Sequence, residues 1–124
     1  MQLEIKENTE GFLIPLYLTK ICPFPKRIFF IKNKKPGDIR GKHAHFKDSQ
    51  KLILLNGKAI IKFENAATSG IVELNFGQMY ESRPLEWLEI TLIESNTIIA
   101  VLSQEEYNEE EYIRDYSVFK QQIL

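Results

Sequence analysis

The sequence holds a single cysteine, Cys22, so an internal disulfide framework is excluded. It also lacks any apolar run near the roughly 18 residues that a membrane-crossing helix needs; the longest are short stretches such as Leu52–Leu55 and Ile98–Leu102. Neither charge is in excess: 16 Lys+Arg stand against 17 Asp+Glu, a formal net charge of −1, too little field to draw in a polynucleotide or an anionic membrane. The opening MQLEIKENTE lacks the basic start and long apolar segment of a signal peptide. A soluble cytoplasmic protein with neither nucleic-acid nor membrane partners is therefore expected. No repeat, linker or low-complexity segment divides the 124 residues. That length buries about two thirds of its unfolded surface and supports one core, so residues 1–124 are expected to form one domain.

What the sequence does have is an all-β rhythm. Apolar runs recur at Phe12–Leu18, Arg27–Ile31, Lys51–Leu55, Lys58–Phe63, Ile71–Leu74, Trp87–Ile93 and Thr97–Leu102, separated by turn residues. Asn56-Gly57 is the dipeptide best suited to a type I′ turn, which predicts a hairpin between the runs on either side of it. In the second of those, Ala59, Ile61 and Phe63 alternate with Lys58 and Lys62, so one face should be buried and the other wet. Near the C-terminus, Ser103 and Glu106 read as a capping box, and the acidic run Glu105–Glu111 as a solvated, dipole-matched helix start. Tyr112, Ile113, Tyr116 and Phe119 then predict an apolar stripe of a helix docked on the β body.

Chemistry concentrates in Gly37-Asp-Ile-Arg40-Gly-Lys-His43-Ala-His45, which carries both histidines of the protein. Residues i and i+2 of a strand project from one face, so both imidazoles should enter the same pocket. Neutral imidazole, with an ordinary pKa near 6.5, can accept a proton at neutral pH. Arg40, just upstream, offers a permanent cation with a planar donor fork suited to a diphosphate or a developing oxyanion.

The spacing from Gly37 through His43-x-His45 and Gln50 to Gly57 resembles the first motif of the cupin superfamily. That resemblance implies an all-β fold, a double-stranded β-helix or jelly-roll barrel, here with a short C-terminal helical tail. Metal-binding cupins carry a glutamate where this chain has Gln50, and a further histidine on a later strand; Gly77–Ile90 holds no histidine. Two imidazoles and an amide make an incomplete transition-metal site, so no metal and no cofactor is expected.

A closer resemblance lies in Arg40-Gly-Lys-His43-Ala-His45, Pro84-Leu-Glu-Trp87 and Glu106-Tyr-Asn-Glu-Glu-Glu-Tyr112-Ile-Arg114-Asp-Tyr116, which together are similar to the dTDP-4-keto-6-deoxyhexose 3,4-ketoisomerase (WxcM-like) family. The resemblance implies a homodimeric, metal-independent isomerase that moves a keto group between sugar C4 and C3 and serves surface-polysaccharide biosynthesis. Within that reading His43, His45 and Arg40 are the candidates for catalysis, and Arg27, Gln50, Trp87 and Phe29 for holding the nucleotide sugar, with a core role for Trp87 and a strand-end surface charge for Arg27 as the alternatives. Phe12–Leu18 is the candidate strand for exchange with, or addition to, a partner sheet. Against the family pattern, Phe29 and Phe30 stand where a tyrosine is usual, Glu10 replaces an arginine, and Leu88 replaces a histidine. These departures keep open a non-catalytic nucleotide-sugar-binding cupin, and a metal-dependent cupin enzyme stands as a further alternative.

Overall fold

The computed structural model describes residues 1–21 and 25–124; Cys22 lies outside them. A small N-terminal hairpin of β1 (Lys6–Asn8) and β2 (Gly11–Leu13) precedes a single helical turn, α1 (Leu18–Ile21). The body follows: β3 (Arg27–Lys32), β4 (Asp38–His45), β5 (Gln50–Asn56), β6 (Ala59–Glu64), β7 (Ser69–Leu74), β8 (Met79–Ser82), β9 (Trp87–Leu92) and β10 (Ile98–Ser103). A 3-10 turn (Glu109–Glu111), β11 (Tyr112–Ile113) and α2 (Tyr116–Gln122) complete the chain. No helix among the described residues is long and apolar enough to cross a membrane.

Two antiparallel sheets face each other in the jelly-roll arrangement of a cupin. One runs β3-β10-β5-β8 and the other β11-β4-β9-β6-β7. Their inward side chains interdigitate as the main core of Leu52, Leu54, Ala59, Ile61, Leu88, Ile90, Leu92, Ile99 and Val101. β6 alternates as its sequence predicts, with Ala59 and Ile61 fully buried and Lys62 exposed. β5 and β10 do not alternate, because both faces of their sheet are covered. Ile53, Ala100 and Leu102 turn outward against Leu3, Ile21 and Met79. On the outside of the other sheet, Ala44, Trp87 and Ile113 pack beneath Phe119 of α2.

Three local expectations are overturned. Asn56-Gly57 does not close a hairpin: β5 pairs with β10 and β8, whereas β6 pairs with β7 and β9. The dipeptide is a corner between sheets. Only Gly57 takes positive φ (82°), and a Cβ there would lie 2.3 Å from Thr97 Oγ1, so the glycine is required by close approach rather than by a type I′ turn. Phe12–Leu18 is not one strand; pairing stops at Leu13 and the chain coils into α1. The tail does not begin as a helix at Ser103. That residue ends β10, and its hydroxyl donates to Asp48 Oδ2 at 2.6 Å while accepting from the Glu105 backbone N–H, a turn from which no helix starts. The caps are Asn108 and Asp115, each accepting from a backbone N–H two residues on. The stripe is split accordingly: Tyr112 and Ile113 are strand, Tyr116 and Phe119 helix.

Candidate active site

β4 carries the site, and its register explains the grouping. The ladder to β9 slips between Gly41 and His43: Arg40 lies opposite Ile90, Gly41 opposite Glu89, and His43 opposite Leu88. One extra residue in β4 therefore turns Arg40 and His43 to the same inward face, although they are three apart. Gly41 (φ 88°) and Lys42 (φ 58°) absorb the bulge. A Cβ on Gly41 would stand 2.9 Å from the Leu88 carbonyl oxygen, so only glycine permits this approach.

At the open end of the barrel lies a cavity of about 260 Å³, lined by Phe29, Phe30, Arg40, His43, Gln50, Leu88, Tyr112 and Arg114 among others. The two imidazoles stand side by side there, ring centroids 4.9 Å apart and nearly perpendicular. His43 faces the cavity; His45, only 6% exposed, sits behind it. Tyr112 packs against both rings, at 5.0 and 4.3 Å, because β11 pairs with the end of β4, Tyr112 opposite His45. His45 Nδ1 lies 3.1 Å from Glu111 Oε2, within hydrogen-bond distance.

Both histidines are tuned toward the neutral form. Burial, followed by the neighbouring His45, pushes His43 down to about 4. Burial also lowers His45, against the opposing pull of Asp48 and Glu111. The Glu111 contact is thus a hydrogen bond from a neutral ring at neutral pH rather than an ion pair. His43 Nδ1, His45 Nε2 and Arg27 Nε are buried with no hydrogen-bond partner within the described residues, which leaves them to be met by water or a bound ligand.

Arg27 and Gln50 belong to the same end. The Arg27 guanidinium lies over the Phe29 ring at 4.8 Å, 3.5 Å from the Tyr112 hydroxyl and 3.4 Å from Ser103 Oγ. Gln50 donates to Asp48 Oδ2 at 2.8 Å. Asp48, 1% exposed, also accepts from Ser103 Oγ and from the backbone N–H groups of Gln104 and Glu105. His45, Asp48 and Glu111 bring ligand atoms within 4.8 Å of one another. They do not suit a metal, however: Asp48 is saturated by those donors with the Arg27 cation 3.8 Å away, and Glu111 is held by His45 and the Lys47 backbone N–H. A metal would have to displace them all.

Trp87 is not a wall of this cavity. It points to the opposite side of its sheet, packing on Tyr116 and Phe119 at 5.3 and 5.6 Å, because the side chains of β9 alternate and its neighbour Leu88 takes the inward position. Glu10 is likewise remote, in the exposed turn of the N-terminal hairpin. Sequence reasoning missed three residues. Glu111, read as solvated, is the partner of His45; Tyr112, read as helix packing, touches both imidazoles; Arg114 stacks on Tyr112 at 4.4 Å and lines the cavity. The available signal was Asn108 and Asp115, two capping residues that leave 112–113 between them as extended chain.

A family model described as WxcM-like, C-terminal (FdtA) matches residues 1–123. The chain belongs to this family. A curated relative, the TDP-4-oxo-6-deoxy-α-D-glucose 3,4-oxoisomerase of Aneurinibacillus thermoaerophilus, is 31% identical over 119 residues, covering 94% of this chain and 85% of the relative. Among solved structures, the sugar 3,4-ketoisomerase QdtA of Thermoanaerobacterium thermosaccharolyticum, in complex with TDP, superposes with a TM-score of 0.87 at 30% identity, covering 98% of this chain and 90% of QdtA. A 3,4-ketoisomerase from Helicobacter canadensis does so with a TM-score of 0.86 at 32% identity, over 98% and 93%. By their names these relatives are 3,4-ketoisomerases or a 3,4-oxoisomerase, and both solved structures share this barrel.

Proposed function

We propose that this protein is a 3,4-ketoisomerase of a TDP-linked 4-keto-6-deoxyhexose, working without metal or cofactor as a single cupin domain over residues 1–124. The observation that carries the reading is the pair of neutral imidazoles at a cavity sized for a hexose, with two guanidiniums, Arg40 and Arg114, on the cavity wall. The sugar ring enters this cavity beside His43, with the TDP toward its mouth. There Arg40 and Arg114 meet the diphosphate as charge-matched donors.

The reaction asks a base to take the proton from C3 beside the C4 carbonyl, giving an enediolate. The same proton equivalent is then returned to C4, while the hydroxyl proton passes from O3 to O4. His43 lines the cavity and, held neutral, accepts and returns the carbon-bound proton. His45, behind it, belongs to the relay that moves the hydroxyl proton. Tyr112 on the cavity wall, its hydroxyl accepting from Arg27 at 3.5 Å, supplies the donor to the developing oxyanion, a role that Phe29 and Phe30 cannot fill. Incubation with dTDP-4-keto-6-deoxyglucose, followed by NMR of the sugar, is expected to yield the 3-keto isomer; unchanged substrate at high enzyme concentration refutes the reading.

The apolar Ile28 and Phe30, 55% and 66% exposed on edge strand β3, support a homodimer formed through that edge. Light scattering is expected to give twice the chain mass. Kinship with TDP-sugar isomerases supports a cytoplasmic role in assembling surface-polysaccharide sugars.

A further inference from the structure

We propose that Glu111 is a positioning residue for the isomerase chemistry: by accepting the Nδ1–H of His45, it fixes that ring as the tautomer whose Nε2 is a bare acceptor. The inference rests on the isomerase reading for its purpose, and on geometry alone for its substance. An ionised carboxylate has no hydrogen to give, so at the 3.1 Å contact between Glu111 Oε2 and His45 Nδ1 the proton belongs to the ring nitrogen. The other Glu111 oxygen is taken by the backbone N–H of Lys47, which can only donate. The carboxylate is therefore clamped from two sides and cannot swing away. The Glu111 carbonyl also accepts from Phe46 N at 3.1 Å, tying the backbone of this residue to the end of β4.

The ring held in this way is 93% buried at its side chain, and its Nε2 has no partner within the described residues. Once Nδ1 carries the proton, a neutral His45 must present Nε2 as an acceptor. That is the form needed to receive a hydroxyl proton, and the opposite tautomer would present a donor instead. A carboxylate, an imidazole it orients and an acceptor nitrogen beyond form the same logic by which a buried acid sets the tautomer of a catalytic histidine elsewhere. Here the acid is on the segment leading into β11, the same segment that lays Tyr112 across both imidazoles. One short stretch of chain thus sets both the packing and the protonation pattern of the pair.

The chain has only two histidines, so protein labelled with ¹⁵N-histidine shows four ring nitrogens, and a His43→Asn variant assigns them. At neutral pH the wild-type His45 is expected to show a protonated Nδ1 and an unprotonated Nε2. In Glu111→Gln the side-chain oxygen must still serve Lys47 N–H, which turns the amide NH₂ toward Nδ1 and forces the proton to Nε2. The tautomer is expected to invert, and kcat to fall about 10²- to 10⁴-fold with KM little changed. An Nε2–H ring or an imidazolium in the wild type overturns the proposal, without need of any variant. So does an inverted tautomer in Glu111→Gln with wild-type kcat. A wild type that turns over no TDP-sugar refutes the isomerase reading instead, and the spectrum still decides the tautomer.

Discussion

Acidification should destabilise this protein through His43 in a pH window set by its burial. In the folded chain burial holds His43 at about 4, whereas an unfolded histidine titrates near 6.5. Because the folded value is the depressed one, His43 favours the fold fully above pH 6.5. Below that the unfolded chain gains a proton that the fold refuses, and stability falls until the fold is itself protonated near pH 4. At about 1.4 kcal/mol per pH unit the whole span is roughly 3 kcal/mol, a large part of the ~5–15 kcal/mol typical of a domain. His45, lowered for the same first reason, acts in the same direction. Urea unfolding at about pH 7.5 and about pH 4.5, for wild type and His43→Asn, measures it through the midpoint at constant m. Carboxylates titrate alike in both proteins and cancel in the comparison. The wild type is expected to lose about 2–3 kcal/mol more than the variant on acidification. Equal losses, or a wild type that gains stability in acid, would refute the reasoning.

Removing the Arg114 guanidinium with Arg114→Ala, which also frees Glu109 from its two contacts of 2.5 and 2.9 Å, should weaken TDP binding about 10- to 100-fold by calorimetry, and that loss should shrink at high salt. Gly41→Ala forces a side chain to within 2.9 Å of the Leu88 carbonyl at positive φ. It should cost about 1–3 kcal/mol in chemical denaturation and lower kcat more than Tm alone explains, because the bulge is what puts Arg40 and His43 on one face. Phe119→Ala empties the fully buried site beneath α2. It should cost about 3–5 kcal/mol yet leave TDP affinity unchanged below the melting range, since Trp87 and Phe119 lie on the far side of the sheet.

Much of the site was legible because strand periodicity is short-range: His43-x-His45 needs only a strand to bring its rings together. Arg40 was legible as chemistry but not as geometry, since simple alternation from His43 puts it on the other face, and the bulge that corrects this depends on Gly41 meeting Leu88 of another strand. Asn56-Gly57 signalled a reversal correctly, but a local dipeptide carries nothing about which sheet the next strand joins. Ser103 and Glu106 matched a capping box, but Ser103 is the last residue of β10, tied through its hydroxyl to Asp48, 55 residues away in sequence. Glu111 and Tyr112 were hidden for the same reason: an acidic run reads as solvated, and an aromatic near a helix reads as packing, until the β11–β4 pairing sets them on His45. Trp87 shows the converse, a residue shared with the family motif whose place in the core is fixed by Phe119.

The most direct test of the account is deuterium uptake at the sugar ring. In heavy water, where the His43 imidazolium exchanges its proton with solvent before delivering it, wild-type protein given dTDP-4-keto-6-deoxyglucose should place deuterium on the carbons exchanging the carbonyl, read by mass spectrometry. His43→Asn should still bind the TDP-sugar but exchange at least about 10²-fold more slowly. Exchange at the wild-type rate in that variant would contradict the claim that the buried, neutral imidazole of His43 carries the proton.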